Sequence, residues 1–99
     1  MNLIEIIHIR SFGPKDREAA MQAFRNLQFP DFNRAVMSMK LLQDVLLDTD
    51  LRIVIQWQGK VIEKAKSALG VQLAAAFTEF GRVHHIICKE CDLYRRSHS

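Results

Sequence analysis

Residues 3–12 read L-I-E-I-I-H-I-R-S-F. The run is short and rich in isoleucine, which favours an extended strand over a helix. Side chains of a strand alternate between its faces. Ile4, Ile6, His8 and Arg10 therefore share one face, and Leu3, Glu5, Ile7 and Ile9 share the other. Both faces carry aliphatic side chains, so both need cover. A chain of 99 residues makes one domain. A domain this short buries a modest fraction of its surface, so added burial in an oligomer helps it.

The rest of the chain supplies five more elements. Gly13-Pro14 ends the first strand. From Asp16 to about Leu27, Ala20, Ala23, Phe24 and Leu27 recur at helical spacing, with Asp16 and Glu18 at the end that favours negative charge. A loop with Phe29 and Phe32 follows, both expected to tuck against the domain. Residues 36–47 and 51–58 read as two strands, with Asp48-Thr49-Asp50 as the expected hairpin connection. That connection places Val45 near Ile53, Gln43 near Ile55 and Leu41 near Trp57 on one face. Lys40, Leu42, Asp44 and Leu46 then lie opposite Arg52, Val54 and Gln56 on the other. Lys60 to Phe80 keeps helical spacing through Ile62, Ala65, Leu69, Leu73, Ala76, Phe77 and Phe80. Gly70 inside it marks a kink or a break into two short helices, and Gly81 suits a C-terminal cap. Arg82–Cys88 is the fourth strand. Residues 1–90 are the expected domain and 91–99 a polar tail.

The order strand, helix, strand, strand, helix, strand is that of an α+β, ferredoxin-like βαββαβ fold with a four-stranded antiparallel sheet. Both helices pack on one side. Ile4, Ile6, Leu42, Leu46 and Val54 are then candidates for exposure on the other. A contiguous apolar patch of that kind points to a partner, and a second copy is the simplest one. A composition of 48% hydrophobic and 25% charged residues is globular and excludes a disordered chain. A net charge of +3 with scattered basic residues gives no concentrated patch, so no nucleic acid is expected as partner. No stretch reaches the roughly 18 apolar residues of a membrane span, and Glu5 and His8 interrupt the only run that resembles a signal-peptide core. No membrane and a cytoplasmic location are the expectations. Cys88 and Cys91 have thioredoxin-like spacing but follow a strand rather than opening a helix, so ordinary reduced thiols are expected.

Three stretches carry a resemblance. They are the opening strand, the third strand ending I-V-I-Q-W-Q at Trp57–Gln58, and A-A-A-F-T-E-F-G-R-V-H-H-I-I over residues 74–87. Together the chain resembles the dimeric α+β barrel superfamily over about residues 3–90, and within it the antibiotic-biosynthesis-monooxygenase-like small proteins. The resemblance implies a homodimer in which two sheets form a dimeric α+β barrel, with a cavity in each subunit between sheet and helices. The superfamily includes cofactor-independent quinol or polyketide oxygenases, haem-degrading enzymes, small isomerases and proteins of no known activity, so fold constrains function weakly. The haem-degrading branch uses a first-strand asparagine, a third-strand tryptophan and a histidine on the second helix. Trp57 fits the tryptophan position, but residues 3–12 hold no asparagine and residues 60–80 no histidine.

The candidate catalytic residues are His8, Arg10 and His85. A histidine can serve as base and an arginine can hold an anionic oxygen. Each can equally form hydrogen bonds at a sheet edge or interface. Trp57, Phe24 and Phe77 are the candidate pocket residues, although core packing accounts for aromatic rings equally well. His84 and His85 are adjacent and point to opposite faces, one toward the helices and one toward a second subunit. The first and fourth strands are expected on opposite sides of the central pair, which argues against a His8–His84 metal site. No metal is expected. Lys40, Asp44, Arg52 and Gln56 form an expected polar cluster at the interface. The functional expectation is a small-molecule enzyme, a monooxygenase acting on a quinol or related aromatic with no bound cofactor. The alternative is a non-catalytic homodimeric ligand- or protein-binding module. A Gly-rich phosphate loop is absent.

Overall fold

The computed structural model describes residues 3–28, 36–58 and 67–94. The element order is β1 (Leu3–Ser11), α1 (Pro14–Arg25), β2 (Val36–Gln43), β3 (Asp50–Trp57), α2 (Ala68–Phe77) and β4 (Gly81–Lys89). The four strands form one antiparallel sheet in the order β2-β3-β1-β4. This is the ferredoxin-like arrangement that the element order predicts. β1 and β4 are neighbours, paired from Leu3↔Lys89 to Ser11↔Gly81. That corrects the expectation that they lie on opposite sides of the central pair: β1 is itself central, and His8 pairs directly with His84.

The helix side of the sheet carries the core. Ile7 and Ile9 of β1 and Leu51, Ile53, Ile55 and Trp57 of β3 are buried against Ala20 of α1 and Leu73 and Phe77 of α2. Full burial of a side chain of this size stabilises by about 1.5–3 kcal/mol each. The α1 stripe is the expected one, with Ala23, Phe24 and Leu27 packed beside Ala20. Pro14 opens the helix, where its missing N–H costs nothing, and shifts the start two residues ahead of Asp16. The expected placement of Phe29 and Phe32 lies outside the described residues, as does the stretch 59–66 of the second helical run.

Three local expectations need correction. α2 starts only at Ala68, with Ser67 as its N-cap. Gly70 is therefore not a kink but part of the first turn. Gly81 is not the helix cap, since α2 ends at Phe77 with Thr78 as its C-cap. It begins β4 beside the backbone of Arg10, and a Cβ there would collide with the Arg10 carbonyl. The β2–β3 hairpin is also shorter and its turn longer than expected. Leu41 pairs with Ile53 and Met39 with Ile55, where Val45 and Gln43 were expected. The slip is four residues (Val45 to Leu41), an even number, so each side chain keeps its face.

Asp44 causes the slip. Its Oδ1 accepts the N–H groups of Leu46 and Leu47, each at 2.8 Å, and folds the chain into a turn before Asp48. The Asp50 N–H donates to the Leu47 carbonyl at 2.8 Å and the Asp44 N–H to the Asp50 carbonyl at 2.9 Å. Leu46, expected on the sheet, is 90% exposed in this turn beside Val45.

The open face is graded from one end to the other. Its cross-strand rows read Ser38–Gln56–Ile4–Cys88, Lys40–Val54–Ile6–Ile86, Leu42–Arg52–His8–His84 and Asp50–Arg10–Arg82. Aliphatic side chains gather toward one end and charged ones toward the other. Of the expected polar cluster, Arg52 reaches Asp44 at 3.4 Å, with Asp44 now in the turn rather than on the strand.

The hydrogen bonds from Leu47 and Leu46, and then Arg52, hold the Asp44 carboxyl below its ordinary 3.8. A depressed folded-state value means stability that is present above the unfolded value and is lost as pH falls through the folded one. Asp44→Asn keeps an acceptor but not the charge. Its melting temperature should fall below that of the wild type at neutral pH, and the gap should close on acidification below about pH 4. Asp44→Ala should melt lower than Asp44→Asn across the range. Thermal melts followed by circular dichroism from pH 2.5 to 7 measure both.

Candidate functional site

An acidic residue in the middle of an apolar strand face must find partners. Glu5 is that residue: it shares the helix-side face with Ile7 and Ile9 and is fully buried. Its cross-strand neighbours are Ile55 on β3 and Ile87 on β4. The diagonal neighbours, two residues along each strand, are Trp57 and His85, within reach of long side chains. Both turn to the carboxylate. Trp57 Nε1–H donates to Oε1 at 3.0 Å, and His85 Nε2 lies 2.5 Å from Oε2.

The third side of the site is the start of α2. Ser67 donates through Oγ to Glu5 Oε1 at 2.6 Å and through its backbone N–H to Oε2 at 3.3 Å. The same Oγ accepts the Gly70 N–H at 2.8 Å, which makes Ser67 both the helix cap and a ligand of the carboxylate. A helix N-terminus favours negative charge in front of it, and Glu5 supplies that charge. Gly70 is needed because a Cβ there would overlap the Glu5 carboxylate and the His85 ring. The side chains of His85 and Glu5 are 6% and 0% exposed. Removing one partner leaves the other buried and short of a hydrogen bond, at a cost of about 1–3 kcal/mol.

The sheet divides the residues singled out from the sequence into two groups. His85 and Trp57 lie together on the helix side, joined through Glu5. Phe77 is buried in the same core and meets Phe80 edge to face at 5.6 Å, while Phe24 packs against that core from α1. His8 and Arg10 lie on the open face and do not join them. There His8 Nε2 is 3.2 Å, and Arg10 Nε 3.7 Å, from Asp50 Oδ2. His84 faces the open side and His85 the helices, as their adjacency requires. Among the described residues no three metal-ligating side chains converge, and no helix is long and apolar enough to cross a membrane.

The sequence reading missed Glu5, Ser67 and Gly70 as members of the site. Glu5 carried a signal, since it was the one charge on the Leu3–Ile7–Ile9 face. Ser67 was hidden inside a run whose spacing reads as helical, and Gly70 stood out there only as a kink or a break into two short helices.

No family model matches the chain, and no curated protein matches it. Solved structures do. A conserved protein of unknown function from Bacteroides thetaiotaomicron, with a suggested oxidoreductase role, superposes with a TM-score of 0.66 at 16% identity, covering 88% of this chain and 95% of that one. A Bordetella bronchiseptica protein with a proposed role as an antibiotic biosynthesis monooxygenase gives 0.58 at 14% identity, covering 91% and 97%. Rv0793 of Mycobacterium tuberculosis gives 0.56 at 11%, covering 96% and 100%. The chain shares its fold with these three proteins. At these identities the likeness establishes that fold and leaves the chemistry to the residues themselves.

Gly70→Ala should lose about 1–3 kcal/mol, the range for overpacking a filled core. Gly13→Ala, where the added methyl meets open space, should stay within about 0.5 kcal/mol of the wild type. Urea unfolding of the two variants side by side checks the contrast.

Proposed function

We propose that the protein is a homodimeric small-molecule enzyme, a monooxygenase that oxidises a quinol or related electron-rich aromatic without a bound cofactor, with His85 as its base. One observation carries this reading. An imidazole on the helix side of the sheet is hydrogen-bonded to a fully buried carboxylate that also accepts the indole N–H of Trp57. A base paired with an orienting carboxylate is a recurring arrangement for moving a proton at neutral pH. The oxidoreductase and monooxygenase roles suggested for proteins of the same fold agree with it.

The chemistry asks little of the protein. His85 takes the hydroxyl proton of the substrate, and the resulting phenolate is electron-rich enough to reduce dioxygen. A C–O bond forms at a hydrogen-bearing ring carbon ortho or para to the ionised oxygen, giving a hydroperoxide. Loss of water from it leaves a quinone. One oxygen atom enters the product, the other leaves as water, and the two hydrogens lost by the substrate leave in that water. Trp57, Phe24 and Phe77 supply apolar walls. His8 and Arg10, on the opposite face, belong in this scheme to the interface with the second subunit.

The second copy covers the open face. Ile4, Ile6 and Val54, with Ile86 at 39% exposure, form the apolar patch that a partner sheet would bury, and Leu42, 45% exposed, lies next to it in the row of Arg52 and His8. A second functional reading, a non-catalytic homodimeric binding module, is favoured by the close packing of Trp57 and Phe77 into the core.

Oxygen uptake with a panel of quinols separates the two readings. The enzyme reading expects uptake matched by formation of a quinone that has gained one oxygen atom, and a fall of about 10²–10⁴-fold in His85→Ala, the usual worth of a general base. Phenol binding without oxygen uptake would favour the module. For the assembly, sedimentation at micromolar protein should give a dimer, and Ile6→Asp should shift it to monomer.

A further inference from the structure

The proton-accepting atom of the site follows from an accounting of donors around Glu5. Three hydrogens are committed to this carboxyl group. The indole N–H of Trp57 can only donate. The backbone N–H of Ser67 can only donate. The Ser67 hydroxyl already accepts the Gly70 N–H, so its own hydrogen goes to Oε1. A carboxyl group met by three donors and the N-terminus of α2 is held as the carboxylate. Its fourth neighbour, Nε2 of His85, then has to be a donor as well. In a neutral imidazole with Nε2 protonated, the lone pair is on Nδ1.

We infer that Nδ1 of His85 is the atom that receives the substrate proton, that Glu5 is the positioning residue that commits it, and that the site takes a neutral phenol or enol and rejects carboxylates. This rests on the reading of His85 as base. When the ligand O–H bond breaks, its proton goes to Nδ1 and its electron pair stays on the ligand oxygen. The imidazolium formed lies between two negative groups, Glu5 on its Nε2 side and the new oxyanion on its Nδ1 side. A ligand that already carries a carboxylate would bring a second negative charge beside Glu5 before any positive charge exists. In a buried site that repulsion is poorly screened.

Two measurements without oxygen test this. Long-range ¹⁵N–¹H correlation of histidine-labelled protein at pH 8 reports which ring nitrogen carries the proton, and comparison with His85→Gln assigns the signal among the four histidines. The wild type should show His85 as the Nε2–H tautomer, and Glu5→Gln should show a mixture. An Nδ1–H wild type overturns the inference even if the variant fails to fold. Anaerobic titration followed by Trp57 fluorescence should find hydroquinone bound at least about tenfold more tightly than 2,5-dihydroxybenzoate, and equal affinity overturns the ligand class. The outcomes separate from those for the oxygenase reading. The expected tautomer and selectivity with no oxygen uptake from any quinol would sink the oxygenase and leave the site assignment standing.

Discussion

A carboxylate with no exposure to water organises this fold. Glu5 would be costly to bury alone, and it is not alone: an indole, a hydroxyl, a backbone N–H and an imidazole all point at it. Those groups come from β3, the entry to α2 and β4, so the one charge on the inner face of β1 fixes the positions of three other elements. The start of α2 is the most dependent of them. Its cap is also a ligand of the carboxylate, and its first turn has room for the site only because residue 70 lacks a side chain.

The same strand does different work on its two faces. Its odd-numbered residues build the core and the Glu5–His85 pair, while its even-numbered residues build the graded outer surface. The two histidine–carboxylate pairs, His85 with Glu5 and His8 with Asp50, lie on opposite sides of one sheet and cannot serve one substrate together. In the inner pair, Glu5 has no exposure and meets donors at both carboxylate oxygens. On the outer face His8 shares Asp50 with an arginine that is 65% exposed. That difference in surroundings, rather than the residue types, separates a candidate site from a surface ion pair.

Much of the architecture was legible because periodicity survives local error. The alternation in residues 3–12 identified which side chains share a face, and the helical spacing of Ala20, Ala23, Phe24 and Leu27 identified the α1 stripe. The β2–β3 register was not legible, since it depends on one carboxylate capping two backbone N–H groups, a contest between turn and strand that hydropathy does not record. The strand neighbours of β1 were misplaced by an error of topology rather than of chemistry. The site was half legible. His85 and Trp57 stand out as residue types, whereas Glu5 draws its meaning from neighbours more than fifty positions away. Ser67 looks like an ordinary residue of a helical run, and Gly70 like a mere interruption of it, until the carboxylate opposite them is known.

The alternation along β1 also bears on how such a chain can change over generations. A two-residue insertion or deletion beside the strand preserves the parity of its faces. A one-residue change reverses it, moving Glu5 out to the open side and His8 and Arg10 into the aliphatic core. The hairpin turn between β2 and β3 has no such arithmetic, since Val45 and Leu46 already stand in solvent. Length variation among descendants of this chain should therefore collect in that turn, while the opening strand keeps its count.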